Sequence, residues 1–289
     1  MADLALVLLT LVWGTTFTLV KRVLDAGTSI GGFLVLRFGL ALAVLAALWA
    51  WRRPRPGPGL LRDGALLGGA MFLGFALQTA GLAYTTPARS GFITGLAVVL
   101  VPFVARFAMG RRVPGAAWAG VVLAVVGLAL LTRPFGDGGG ATRLGDLLTL
   151  GCAVAYAFQI IWTSEFSPRH PLLSLLVVQV AVTFLGSLAL LAWGPARVAP
   201  SGELWATVAF TGLVMTVGAF FVMNWAQRHT SAVRAALIYT LEPPAAAVFS
   251  HLVTGERLDG PALGGAALIL VGVVVAEVGG ALAARRSAA

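Results

Sequence analysis

Charge is scarce in this chain. Only 11% of its 289 residues are Asp, Glu, Lys or Arg, against the roughly 25% that a water-facing globular surface carries. That shortage excludes an ordinary soluble fold. Cysteine is scarcer still: Cys152 stands alone, so no disulfide can form within the chain. There is no paired-carboxylate motif, no His-x-x-x-His and no Cys cluster at metal-ligand spacing. Nor does any serine have a histidine and an acid at a recognisable interval. No metal or cofactor is expected, and no catalytic constellation is visible.

What is present is apolar. Hydrophobic residues make up 59% of the chain and come in long runs, such as 33–51 and 262–276. About 20 apolar residues in helical form cross the roughly 30 Å of hydrocarbon in a bilayer. The runs show no alternation of period two, which a membrane β-barrel would require. The fold class is therefore an all-α integral membrane protein, with the lipid bilayer as its surroundings.

The net charge of +9 is spread over short connecting segments: Arg52, Arg53 and Arg55; Arg111 and Arg112; Arg285 and Arg286. Such clusters set topology. They form no basic face for gripping phosphates, so no nucleic-acid partner is expected. The opening residues, MADL, carry an acid where a secretory signal would carry positive charge. Residues 4–21 therefore read as a retained first helix.

Loop signals divide the chain into ten spans: 4–21, 32–51, 64–84, 89–109, 115–132, 145–163, 172–193, 204–227, 232–253 and 261–282. The breaks between them are rich in proline and glycine, as in RRPRPGPG (52–59), RPFGDGGG (133–140) and SPRHP (167–171). With the N-terminus inside, twelve basic residues fall on the inner side: Arg52, Arg53, Arg55, Arg62, Arg106, Arg111, Arg112, Arg169, Arg228, Arg234, Arg285 and Arg286. Seven fall outside: Lys21, Arg22, Arg89, Arg133, Arg143, Arg197 and Arg257. The excess favours both termini in the cytoplasm of an inner-membrane protein. Seven tryptophans, at 49, 51, 118, 162, 193, 205 and 225, lie near span ends as an aromatic belt, and only Trp13 sits in mid-span.

The two halves of the chain resemble each other. A shift of 145 lays Arg89 on Arg234, Gly110 on Gly255, Arg112 on Arg257, Gly115 on Gly260, Gly120 on Gly265 and Val126-Gly127 on Val271-Gly272. Near the N-terminus a shift of 143 lays Asp3 on Asp146 and Trp13 on Tyr156. Five spans is an odd number, so the second copy must enter the membrane from the opposite side. Inverted repeats are the architecture of many secondary transporters, in which two mirrored halves rock about a central site. The expected division is a first five-helix repeat over 1–135, a glycine-rich connector over 136–144 and an inverted second repeat over 145–289.

Several short motifs occur in this order: Trp13-Gly14, Leu36-Arg37-Phe38, Leu-Glu-Pro at 241–243 and Gly-Glu-Arg-Leu at 255–258. Together with two five-helix halves they resemble the EamA-type members of the drug/metabolite transporter superfamily, along nearly the whole chain. The stretch SGFITGLAVVLVP (90–102) is most similar to the amino-acid exporter branch, which includes the aromatic amino-acid exporter YddG. The resemblance implies export of small metabolites through a central cavity. One position departs from symmetry: Val98 stands where the second half has Pro243, and the first half's proline, Pro102, lies four residues later. The two helices are expected to bend at depths differing by about one turn.

Glu242 stands directly before Pro243 and Pro244 in an apolar run. A charge near the bilayer centre is costly and persists only against a cavity, a partner or freed backbone groups. The two prolines free upstream carbonyls by lacking amide hydrogens. Acid and kink thus read either as a protonatable switch or as a fixed hydrogen bond pinning the bend. The candidate substrate-binding residues are Trp13, Gln78, Gln159, Trp162, Asn224 and Tyr239: neutral amides for polar ends and rings for apolar parts of an amphipathic solute. Each also has a structural reading, as interhelical amides, core filling or belt. Arg37 is expected to snorkel to the outer surface, with an ion pair to an acid such as Glu277 as the alternative. His251 reads as an interfacial histidine.

The leading function is thus a secondary transporter exporting small amphipathic metabolites, amino acids and aromatic amino acids among them, by alternating access around a central cavity. No partner protein is required, so a monomer suffices. The alternative is an intramembrane enzyme acting on a lipid or isoprenoid; a channel or scaffold is a third.

Overall fold

A computed structural model describes residues 1–85, 87–132, 140–245, 248–249 and 260–288. No strand occurs among them. Helix α1 covers Ala2–Asp25 and is broken after Trp13, where Thr15 and Thr16 turn their hydroxyls back on the carbonyls of Val12 and Trp13. Helices α2 (Ile30–Arg52) and α3 (Leu60–Tyr84) follow. Helix α4 runs through Pro87–Gly95 and Ala97–Phe103 into a π-helical turn at Val104–Ala108. Next come α5 (Gly115–Thr132), α6 (Gly140–Phe166) and α7 (Leu172–Trp193). Helix α8 (Gly202–Ala226) is π-helical over Phe210–Gly218. Helix α9 begins as Ala232–Tyr239 and resumes at Glu242, and α10 is Gly260–Ala288.

Helix starts have local causes. Ser29, Ser201 and Ser231 each accept a hydrogen bond from an amide three residues on, capping α2, α8 and α9. Seven helices, α1 to α4 and α6 to α8, are long and apolar enough to cross a membrane, and α5 and α10 contain the shorter apolar stretches Gly115–Leu130 and Leu263–Ala276. The chain is therefore a multi-pass, all-helical membrane protein. The further crossing expected over 232–253 lies partly outside the described residues, as do the connector residues 133–139 and His251.

The repeat is written into one helix crossing. Helices α5 and α10 pack closely along their length. A Cβ on Gly120 would lie 2.6 Å from the Gly272 carbonyl oxygen, and one on Gly127 would lie 2.6 Å from that of Gly265. The residue 145 positions after Gly120 is Gly265, and that after Gly127 is Gly272. Each glycine thus meets the counterpart of the other. Reciprocal contacts of this kind require a two-fold relation between the halves. Small residues let the two backbones approach where no water drives association.

The bends also obey the shift. In α4 the Leu96 amide donates to Ile93 O at 3.1 Å, and in α9 the Leu241 amide donates to Ile238 O at 3.0 Å. These are counterparts 145 apart, so the helices break at equivalent depths. The expected one-turn offset is thereby corrected. The physical reason is that different residues produce the same break. Pro243 and Pro244 deprive α9 of amide donors. In α4, Gly95 just before the break weakens the helix at low cost.

A side-chain hydrogen bond between the two halves is buried. Asp63 Oδ2, in the first turn of α3, lies 2.9 Å from His170 Nε2, in the loop before α7. The pairs Arg22–Glu203 and Asp3–Arg234 are largely exposed, and such pairs contribute little to stability. Replacing Asp63 by Ala leaves a buried histidine nitrogen without its partner. The expected cost is about 1–3 kcal/mol, measured as a lower melting temperature of the detergent-solubilised protein.

Candidate functional site

A cavity of about 90 Å³ lies between the halves. A single buried water needs about 10–15 Å³, so the space is larger than a water site. The first half lines it with Trp13 and Thr16 from α1, Arg37 from α2, Phe75 and Gln78 from α3, and Gly91, Thr94, Gly95, Ala97 and Val98 from α4. The second half contributes Tyr156, Gln159 and Ile160 from α6, Phe220 and Met223 from α8, and Ala236, Tyr239, Thr240, Glu242 and Pro243 from α9.

The break in α1 presents the Trp13 ring, which lies 5.8 Å from Phe220 and 5.5 Å from Tyr239, centroid to centroid. Phe75 meets the Tyr156 ring edge-on at 5.7 Å. These rings form apolar walls. The Tyr156 hydroxyl donates to Gln78 Oε1 at 3.3 Å, and Gln78 Nε2 donates to Thr94 Oγ1 at 3.3 Å. Tyr239 OH accepts from Gln227 Nε2 at 3.0 Å, and Gln227 Oε1 accepts from Ser164. Gln227 is itself buried and stands behind the wall, fixing Tyr239. Gly74 admits the Tyr156 ring: a Cβ there would collide with Tyr156 Cε1.

Six of the expected residues meet here: Trp13, Gln78, Gln159, Tyr239, Glu242 and Pro243. Trp162 and Asn224 are not in the described lining. Trp162 packs between Phe158 and Phe166 at 5.4 and 6.4 Å, beyond the cavity end of α6. Asn224 is fully buried and turns back on its own helix, with Nδ2 donating to Phe220 O at 2.8 Å.

Arg37 does not reach the surface. It is 4% exposed, its guanidinium carbon lies 4.3 Å from the Phe75 ring centroid, and Nε donates to Thr216 Oγ1 at 3.1 Å. The snorkelling expectation is corrected, because rings and a hydroxyl within the bundle receive the side chain instead. The Glu277 side chain lies outside the described residues. Arg37, Tyr156, Phe75 and Phe220 were absent from the expected set. For Tyr156 the signal was available: it is the counterpart of Trp13 under the shift of 143.

The model of the EamA-like transporter family matches residues 1–133 and 143–277. The chain belongs to the EamA-like transporter family. The two matched segments correspond to the two halves that pack about the cavity of this EamA protein. A relative from Archaeoglobus fulgidus, an uncharacterized transporter, is 32% identical over 278 residues, covering 96% of this chain and 86% of its own. A crystal structure of another protein shares the fold, with a TM-score of 0.77 over 96% of this chain and 97% of that one, at 20% identity.

Proposed function

We propose that this EamA protein is a secondary exporter of small amphipathic metabolites, foremost amino acids with aromatic or apolar side chains, working by alternating access. The observation that carries this reading is the chamber between the halves, where neutral amides and hydroxyls stand beside ring walls. Such a lining suits a solute with one polar end and one apolar end. Residues 1–135 and 145–289 act as the two moving halves, joined by 136–144. The break in α4 and its counterpart in α9 lie on either side of the chamber and serve as hinges for tilting. In this reading no partner protein is required and a single copy suffices. The protein is placed in the inner membrane with both termini cytoplasmic, from the distribution of Arg and Lys.

Purified protein in liposomes preloaded with an unlabelled amino acid is expected to accumulate the radiolabelled one by counterflow. Equal uptake with and without preloading across a panel of apolar amino acids rules this out. Trp13→Ala removes a ring that contacts both Phe220 and Tyr239. It is expected to weaken the apparent affinity for aromatic solutes about tenfold, as stacking contacts contribute about 0.5–1.5 kcal/mol beyond buried area. The check is the half-saturating concentration in the same assay.

A further inference from the structure

The described lining of the cavity holds one cation and one carboxyl residue, Arg37 and Glu242. A guanidinium keeps its charge at all physiological pH values and has five N–H donors. Here one of them is used, Nε–H to Thr216 Oγ1. Among the described residues no carboxylate lies within ion-pair distance of Arg37. The ring faces of Phe75 and Phe38 hold the group in place, 4.3 and 5.2 Å from its central carbon. Thr216 is fixed in turn, because its hydroxyl donates to Thr211 O at 2.8 Å within the π-helical stretch of α8. The guanidinium is thus held firmly but not neutralised.

A second donor in the same cavity is unmatched. Gln159 is 2% exposed, and its Nε2 has no acceptor among the described residues. Buried donors are rarely left so, and a buried cation calls for an anion. Arg37, Tyr156 and Glu242 line the same cavity, so the guanidinium and the Glu242 carboxyl group share one chamber.

We propose that Arg37 is the anchor for a substrate carboxylate, and that the solute is a zwitterion whose ammonium group faces Glu242 while its apolar part lies against the rings. This rests on the exporter reading for its substrate, and assigns to Arg37 a role in specificity. A guanidinium offers two parallel N–H donors to a carboxylate, a geometry that a neutral amide does not provide.

The test is ligand-induced thermal stabilisation of the detergent-solubilised protein with four probes: L-phenylalanine, phenylpyruvate, L-phenylalaninamide and phenethylamine. The wild type is expected to bind the two carboxylates more tightly than their carboxylate-free counterparts. Arg37→Met is expected to weaken the two carboxylates about tenfold or more and leave the amide and amine unchanged. Glu242→Gln is expected to weaken phenylalanine and leave phenylpyruvate unchanged. If Arg37→Met does not fold, Arg37→Lys carries the test, keeping a preference for carboxylates but a smaller one. The proposal falls if the wild type binds the amide and amine as well as phenylalanine, if an Arg37 variant weakens all four probes equally, or if none binds. Carboxylate-selective binding without counterflow would sink the exporter reading and leave the anchor standing.

Discussion

Glu242→Gln is expected to abolish the response of counterflow to a pH gradient, while counterflow itself persists with a higher half-saturating concentration for a zwitterionic solute. Glu242 is the only carboxylate in the described lining of the cavity, and Pro243 beside it lines the same space. The residue sits where α9 loses its regular ladder, just after the tight bonds of Thr240 and Leu241 to Leu237 O and Ile238 O. A proton gained or lost there changes the charge of the chamber next to a hinge. Moving one charge through 100 mV corresponds to about 2.3 kcal/mol, or roughly fifty-fold accumulation. Glutamine has the shape of the protonated acid and cannot titrate. In liposomes with an imposed gradient, the wild type is expected to speed up and the variant to hold the rate it has at uniform pH. A variant that folds normally and keeps the full pH response would make Glu242 a structural pin of the bend.

Gly127→Leu is expected to destroy the folded protein in detergent, and Gly272→Leu to do the same. At Gly127 a Cβ would lie 2.6 Å from Gly265 O and 2.9 Å from Ile269 N, and at Gly272 it would lie 2.8 Å from Gly120 O. These neighbours are backbone, so the clash cannot be relieved by turning a side chain. Overpacking costs about 1–3 kcal/mol where side chains can adjust, and separating α5 from α10 costs more. Gly69→Leu is the control, because nothing lies within 4 Å of a Cβ at that position. The readout is the monodisperse fraction on gel filtration together with the melting temperature. If the two-fold relation holds, the Gly127 and Gly272 variants fall by similar amounts while Gly69→Leu stays near wild type. A Gly127→Leu protein as stable as the control would contradict the crossing.

Much of the fold was legible in one dimension because the bilayer is a demanding solvent. Backbone groups in hydrocarbon must be satisfied within their own segment, so a long apolar run has to be a helix. The spans 115–132 and 172–193 coincide with Gly115–Thr132 and Leu172–Trp193. The shift of 145 was likewise a pattern of letters before it became reciprocal contacts between Gly120 and Gly272 and between Gly127 and Gly265. Polar residues in apolar runs pointed to the cavity for the same reason: Gln78, Gln159 and Glu242 are too costly to face lipid.

Facing was the part that sequence could not decide. In water the polar side of a helix marks its exposed face. In lipid both the core and the surroundings are apolar, and that mark disappears. Trp162 and Gln159 are three residues apart on α6, yet Gln159 lines the cavity and Trp162 packs against Phe158 and Phe166 beyond it. The course of a long side chain was equally hidden. Arg37 turns inward onto Phe75 and Thr216, and these come from α3 and α8. Composition and repeat by themselves determined a multi-pass helical membrane protein in two related halves. Only the tertiary structure decided which faces of those helices turn toward one another, because that choice is made by packing between distant segments and leaves no periodic trace in any one of them.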